Sequence, residues 1–215
     1  MKLTKLLILL LLPALTFGQM KQNSFVFGPK IGVQMTKVKI LTNSLTAINS
    51  KNRFDFSAGV FGRFNFGKFS VQPEVMYQEK GGNFTGSVTQ QHSYQYISTP
   101  ILLGYRPFKG INFEIGPEYS WAINAGSVNG DRNIYGPDAK SDIALVVGTR
   151  IDMLDALSMF SINIRYVHGL TNVTNRLSEA TPLDFRNRTL QLSVSYNFSE
   201  YYKWWKKYGI KKEKR

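Results

Sequence analysis

The chain has 215 residues, no cysteine and a formal net charge of +13 at pH 7, with 27 Lys and Arg against 14 Asp and Glu. This length suits one domain, and the lack of cysteine excludes disulfides, cysteine-held metals and a lipid-modified N-terminal cysteine. The chain contains 15 Phe, 11 Tyr, 3 Trp and 18 Gly, a composition that favours strands over helices.

The N-terminus has the organisation of an export signal. Lys2 and Lys5 give a basic start, residues 6–12 are an unbroken apolar stretch, and Pro13 ends it. A membrane-spanning helix needs ~20 apolar residues, so this shorter stretch indicates a targeting segment that is removed after export. We therefore predict a signal peptide over residues 1–18. Nucleic-acid binding is disfavoured despite the positive charge, because the chain is exported.

Eight runs of alternating apolar and polar residues follow the signal. This alternation has the two-residue period of a β-strand. In the fifth run, for example, Ile111, Phe113 and Ile115 alternate with polar or small residues. Six of the eight runs have 12 to 14 residues, a length that matches a tilted strand that crosses ~25–30 Å of hydrocarbon. The eight runs are residues 25–36, 54–66, 69–80, 94–106, 111–124, 142–153, 160–166 and 190–198.

The charge on the two faces of these runs distinguishes a membrane barrel from a soluble one. The apolar faces carry almost no charge, and aromatic residues gather near the strand ends. Such a surface suits lipid outside, with a polar interior. We therefore predict an all-β, eight-stranded antiparallel up-and-down transmembrane barrel over residues 19–199; a soluble ligand-binding barrel is the structural alternative. The polar faces carry Lys30, Asp55, Arg63, Glu74, Glu114, Glu118, Asp142, Arg150, Asp152 and Arg165.

The connections between the runs alternate in length. Long connections are predicted at residues 37–53, 81–93, 125–141 and 169–187, and short ones at residues 67–68, 107–110 and 154–158. Outer-membrane barrels have short periplasmic turns and long external loops. This order therefore predicts that both termini are periplasmic.

Five stretches of the sequence carry a family resemblance. They are GPKIGVQMTKV, FSVQPEVMYQEKGG, YISTPILLGYRP, INFEIGPEYSWAI and INIRYVHGLTNV. With these stretches in this order over nearly the whole mature chain, the sequence resembles the small outer-membrane β-barrel family of Bacteroidetes, called PorT-like or porin-family proteins. The resemblance implies the barrel fold, and one relative that is an accessory of a protein secretion system suggests that role. Fold alone does not decide function.

Charged residues on the polar faces are the first candidate site. An isolated buried charge is costly, so we predict a structural network of pairs in the lumen. A proton or ion path is the alternative. Side chains can fill the interior of an eight-stranded barrel, and this disfavours an open pore. The predicted network comprises Arg63, Glu74, Glu114, Glu118, Arg150 and Arg165.

The two histidines, His92 and His168, are the next candidates. His168 lies near the outer end of the seventh run, where a barrel enzyme that acts on lipids has its site. We favour a rim histidine at the level of the lipid headgroups, because no nucleophile motif accompanies it. Two distant histidines do not make a metal site. We therefore predict no catalytic residue, no cofactor and no metal.

The segment after the last run is the most distinctive part of the chain. Residues 199–215 read SEYYKWWKKYGIKKEKR, with seven basic and two acidic residues. We predict that residues 200–215 form a periplasmic tail, helical in one reading, that lies at the membrane interface. The alternative is a surface that binds a periplasmic or secretion-complex protein. The residues of that interface are Tyr201, Lys203, Trp204, Trp205, Lys206 and Lys207.

These observations favour a non-enzymatic outer-membrane barrel that acts as a scaffold, a binding protein or a secretion accessory. Outer-membrane lipid is its expected partner. A narrow channel or uptake porin is the alternative function, and a lipid hydrolase at the barrel rim is the less favoured one.

Overall fold

The structure, a computed structural model, describes residues 24–40, 49–85, 90–129, 134–153, 157–173, 177–178, 181–182 and 184–198. Short strands in the connections are Asn49–Lys51, Val128–Asn129, Ile134–Tyr135, Leu177–Ser178 and Thr181–Pro182. Within the described residues, no helix is long and apolar enough to cross a membrane. The long strands are β1 (Ser24–Ile40), β2 (Arg53–Phe66), β3 (Phe69–Thr85), β4 (Gln90–Phe108), β5 (Ile111–Ala122), β6 (Ser141–Asp152), β7 (Phe160–Gly169) and β8 (Phe185–Tyr196).

The eight long strands close into a ring. Each pairs antiparallel with the next along the chain, and β8 pairs back with β1. If paired residues are followed from strand to strand around the ring, starting at Gly28 of β1, the series returns to β1 at Val38. The ring therefore closes with a stagger of about ten residues. Closure removes the unpaired strand edges that hydrocarbon does not tolerate. The predicted eight-stranded antiparallel barrel is confirmed.

Short turns lie at one end of the barrel, as the sequence predicts. Residues 67–68 join β2 to β3, and residues 109–110 join β4 to β5. Gly67 and Gly110 have φ angles of 61° and 85°, a conformation that glycine adopts without steric cost in tight turns. We call this the turn end and the opposite end the loop end.

The strands at the loop end are longer than predicted. The connection expected at residues 81–93 is largely strand, because Gly81 pairs with Ser93 and Phe84 with Gln90. Similarly, β1 continues to Ile40, which pairs with Phe185. The predicted loop boundaries were wrong here because apolar alternation ends before strand pairing does. Backbone hydrogen bonding continues where the outward side chains have become polar.

The outward side chains form an apolar belt bordered by aromatic residues. At the turn end the ring centroids of Phe25 and Phe64 are 4.8 Å apart. At the loop end those of Tyr119 and Trp121 are 4.6 Å apart. This order of aromatic, aliphatic and aromatic zones is typical of transmembrane barrels. Exposed aliphatic residues between the two zones include Ile31, Val33, Val60, Val75, Ile101, Leu103, Ile115, Val147, Ile164 and Leu192.

Candidate functional site in the barrel lumen

The lumen is filled by polar side chains that alternate with the lipid-facing ones. In β5 the inward residues Asn112, Glu114 and Glu118 are buried, whereas the outward residue after each is exposed. The strand period aims these groups inward, and the small cross-section of an eight-stranded barrel brings opposite walls within side-chain reach. The interior is therefore a hydrogen-bonded polar core.

Two glutamates at the centre of the lumen bind three cations, an arrangement we call the central cluster. Lys30 Nζ donates to both carboxylate oxygens of Glu74 at 3.1 Å. The Arg165 guanidinium donates twice to Glu74, at 2.9 Å each, and once to Glu114 at 2.7 Å. Arg150 Nη1 donates to the other oxygen of Glu114 at 2.5 Å. These residues come from β1, β3, β5, β6 and β7, so their contacts cross the lumen.

Arg63 extends the central cluster towards the turn end. Its Nε donates to Gln72 Oε1 at 2.5 Å, and its Nη1 lies 3.7 Å from Asp152 Oδ1. Gln72 also accepts from Arg150 at 3.0 Å and donates to Glu74 at 2.5 Å. The amide of Gln72 thus links Arg63 to the central carboxylates.

A second group of charges, the upper cluster, lies nearer the loop end. Lys80 Nζ donates to Glu118 Oε1 at 2.7 Å and to Ser120 Oγ at 3.2 Å. It also lies 3.7 Å from Asp142 Oδ2. Gln78 Nε2 donates to the other Glu118 oxygen at 3.3 Å. One lysine therefore faces two carboxylates. The upper cluster has an excess of negative charge, whereas the central cluster has an excess of positive charge.

An apolar cap lies above the upper cluster. Tyr94 and Tyr96 pack edge to face, with ring centroids 6.5 Å apart. The backbone of Val173 is held against β8, where its N–H donates to the Phe185 carbonyl at 2.9 Å. The side chains of this cap are at most 7% exposed. Its members are Val38, Tyr94, Tyr96, Val173 and Phe185.

The structure brings four of the six predicted lumen residues into direct contact: Glu74, Glu114, Arg150 and Arg165. Glu118 lies apart from these four and pairs with Lys80 instead of an arginine. Arg63 faces Asp152 as its acidic partner. The predicted network left out four charged partners that the strand period places on polar faces: Lys30, Lys80, Asp142 and Asp152.

His168 lies at the loop end of β7, opposite Arg188 of β8. Its ring contacts Tyr166, with centroids 6.1 Å apart. The charges that act on it from the neighbouring strands are Arg188, Lys39 and Arg186. A histidine general base needs a nucleophile within hydrogen-bond reach and a group that orients its ring. The cationic side chains of Arg188, Lys39 and Arg186 provide neither.

Other predicted features concern metals and the chain ends. Over the part of the chain that the structure describes, no group of three or more His, Cys, Asp or Glu side chains is placed to hold a metal ion. The predicted signal peptide, residues 1–18, lies outside the described residues. The predicted tail interface also lies outside them, with Tyr201, Lys203, Trp204, Trp205, Lys206 and Lys207.

Comparison with known proteins gives one family and several similar structures, two of which are described below. Residues 17–175 match the sequence model of the family described as outer membrane protein beta-barrel domain. No curated protein matches the chain. Ail, the attachment invasion locus protein of Yersinia pestis, solved in complex with the heparin analogue sucrose octasulfate, is 18% identical over 81% of this chain and 99% of its own, with a TM-score of 0.46. Neisserial surface protein A is 11% identical over 82% of this chain and 99% of its own, with a TM-score of 0.47.

Proposed function

Because the chain belongs to the outer membrane protein beta-barrel domain family, we propose that it is a non-conducting, non-enzymatic barrel that serves as a scaffold and displays binding surfaces on both sides of the outer membrane. The observation that carries this proposal is the filled lumen. Glu74 and Glu114 bind Lys30, Arg150 and Arg165 across its whole width. When the lumen offers no passage, the surfaces left for binding are the rims, the loops and the tail.

A narrow channel or uptake porin is the alternative. An ion that crosses the lumen has to separate Glu74 from Lys30 and Arg165, whose contacts are 2.9 to 3.1 Å long. Each separation leaves a buried charge without its partner, which is strongly unfavourable. It also has to pass the apolar cap at the loop end. The scaffold function is therefore favoured over the channel.

The proposed orientation puts the turn end in the periplasm. Its support is the difference in connection length. The connections at the turn end have two, two and seven residues, whereas three of the four at the loop end have 12 to 18 residues. Both ends of the barrel domain then lie on the periplasmic side, since β1 begins and β8 ends at the turn end.

We assign a docking role to the tail, residues 200–215, as a secretion accessory of the PorT-like kind. Phe198 packs against Phe27 and Tyr196 at the turn end, with ring centroids 5.4 and 5.3 Å away. Phe198, two residues before the tail, therefore lies in the aromatic zone of the barrel. Its mixture of tyrosine, tryptophan and lysine residues suits either an interfacial anchor or a protein surface.

The docking role predicts a partner that depends on the tail. We expect cross-linking in native envelopes to capture periplasmic proteins with the full-length chain and to lose them with a version that ends at Ser199. A full-length Trp204→Ala/Trp205→Ala variant keeps the charges of the tail and removes its largest aromatic surface, so it should lose most of the captured protein. Heat-modifiable gel mobility serves as the control that all three barrels are folded. Identical captured proteins for the three chains contradict the docking role.

A further inference from the structure

Four cations project from two neighbouring strands at the loop end, on the outer surface of the barrel. Lys37 of β1 is the direct cross-strand partner of Arg188 of β8, and Lys39 is the partner of Arg186. His168 of β7 lies next to Arg188 on its other side. We call Lys37, Lys39, Arg186 and Arg188 the cationic patch.

Directly opposed like charges destabilise a pair of strands. The patch is only partly neutralised within the described residues. Asp184 accepts hydrogen bonds from Arg186 at 2.7 and 3.1 Å, and Arg188 donates to the carbonyl oxygen of Gly169 at 2.5 Å. Lys37 and Lys39 are exposed. The four cations therefore retain an excess of positive charge, which an anion would neutralise.

The patch continues the lipid-facing surface of β1 and β8. Met35 precedes Lys37 on the outward face of β1, and exposed Leu190 follows Arg188 on that of β8. Two residues along a strand add roughly 7 Å, so the cations lie just above the apolar belt. This is the level of the lipid headgroups, which favours a membrane lipid over a soluble anion as the occupant.

An apolar groove lies below the patch on the same face. It has a volume of about 500 Å³ and runs between β2, β1 and β8. Ala58 forms its floor on β2, where a small side chain stands opposite Ile31 of β1. Val33 and Leu192, direct cross-strand partners, form its wall four residues from Lys37 and Arg188. Its lining suits a hydrocarbon chain.

We propose that the cationic patch and the groove together form a binding site for a phosphorylated lipid of the outer leaflet. The arginines and lysines bind the phosphate groups, to which guanidinium can donate two hydrogen bonds. The groove receives one acyl chain. This inference rests on the proposed orientation, which places the loop end in the outer leaflet.

The test uses the full-length protein in neutral detergent micelles and compares two lysine pairs. The probes are lipid A with both phosphates, lipid A with its phosphates removed, and inorganic phosphate. We expect Lys37→Gln/Lys39→Gln to weaken binding of phosphorylated lipid A by about 10- to 30-fold, since each cation near an anionic headgroup contributes to binding. The matched control, Lys68→Gln/Lys109→Gln, removes the same charge at the turn end and should bind like the unmodified protein.

Equal binding by both variants overturns the site, and so does phosphate-free lipid A that binds as tightly as the phosphorylated form. If inorganic phosphate at equal concentration displaces phosphorylated lipid A completely, the site binds phosphate rather than lipid, and the lipid proposal is overturned. Ala58→Phe fills the groove without a change of charge and should also weaken lipid A binding. Heat-modifiable mobility checks that each barrel is folded. Because the micelle assay does not involve orientation, conductance or the tail, its failure leaves the scaffold function untouched.

Discussion

We expect Glu74→Gln to lower the free energy of unfolding of the barrel by about 3–5 kcal/mol, the cost of breaking a buried ion pair from one side. Glu74 is 4% exposed and accepts hydrogen bonds from both Lys30 and Arg165. Glutamine keeps the size of the side chain and removes its charge. Lys30 then loses its carboxylate partner, whereas Arg165 keeps Glu114.

Urea unfolding in lipid vesicles, followed by gel mobility, measures this loss. The matched control is Glu79→Gln on the same strand, where Glu79 pairs with Arg53 at 3.2 Å in a partly exposed setting. A pair of this kind contributes about 0–1 kcal/mol. Adding Lys30→Met to Glu74→Gln should recover part of the stability, because it removes the buried ammonium group that has lost its carboxylate partner. Equal losses for Glu74→Gln and Glu79→Gln contradict a paired, water-poor central cluster.

We expect Ile115→Arg to destabilise the barrel by about 2–4 kcal/mol, as an arginine does at the midplane of a bilayer. Ile115 lies at the middle of β5 and points outward. Ile123→Arg is the matched control, because Ile123 follows the same strand beyond the aromatic zone at the loop end. The expected cost there is about 0–1 kcal/mol.

These two positions have nearly the same exposure, 50% for Ile115 and 57% for Ile123. They differ in depth within the membrane. On a water-facing barrel both changes are surface substitutions, with effects within about 0.5 kcal/mol. Refolding into vesicles of the same lipid gives both values, and equal small costs contradict a lipid-facing outer surface.

The sequence predicts the two faces of the strands well, because side chains alternate with a fixed period. In β5 every residue from Ile111 to Trp121 lies on the face that its parity predicts. The strand ends at the loop end are less predictable. Lys37 and Lys39 continue β1 in register with β8, yet their polarity makes the segment resemble a loop. The cationic patch was missed for this reason.

The pairing inside the lumen could not be predicted from the sequence. Arg165 of β7 reaches Glu74 of β3 across the lumen, and Lys80 of β3 reaches Glu118 of β5. These contacts depend on the stagger and tilt of the closed ring, which together set the height of each residue in the lumen. Alternation gives the face of a residue but not this height. The predicted set of lumen charges therefore lacked several of the partners that the structure places beside them.

The family resemblance separates into a confirmed and an untested part. A small outer-membrane barrel is confirmed by the family match over residues 17–175. The narrower assignment to PorT-like proteins of Bacteroidetes stays a prediction. The tail, to which we assign the docking role, lies outside the described residues.

Planar-bilayer recording of the purified full-length chain tests the filled lumen most directly. Because the central cluster, the upper cluster and the apolar cap close the lumen at successive levels, we expect no steady conductance at any applied voltage that the bilayer withstands. Insertion is verified in the same sample by protection of the strands from protease. Steady single-channel steps that scale with salt concentration would contradict the scaffold function and establish a channel instead.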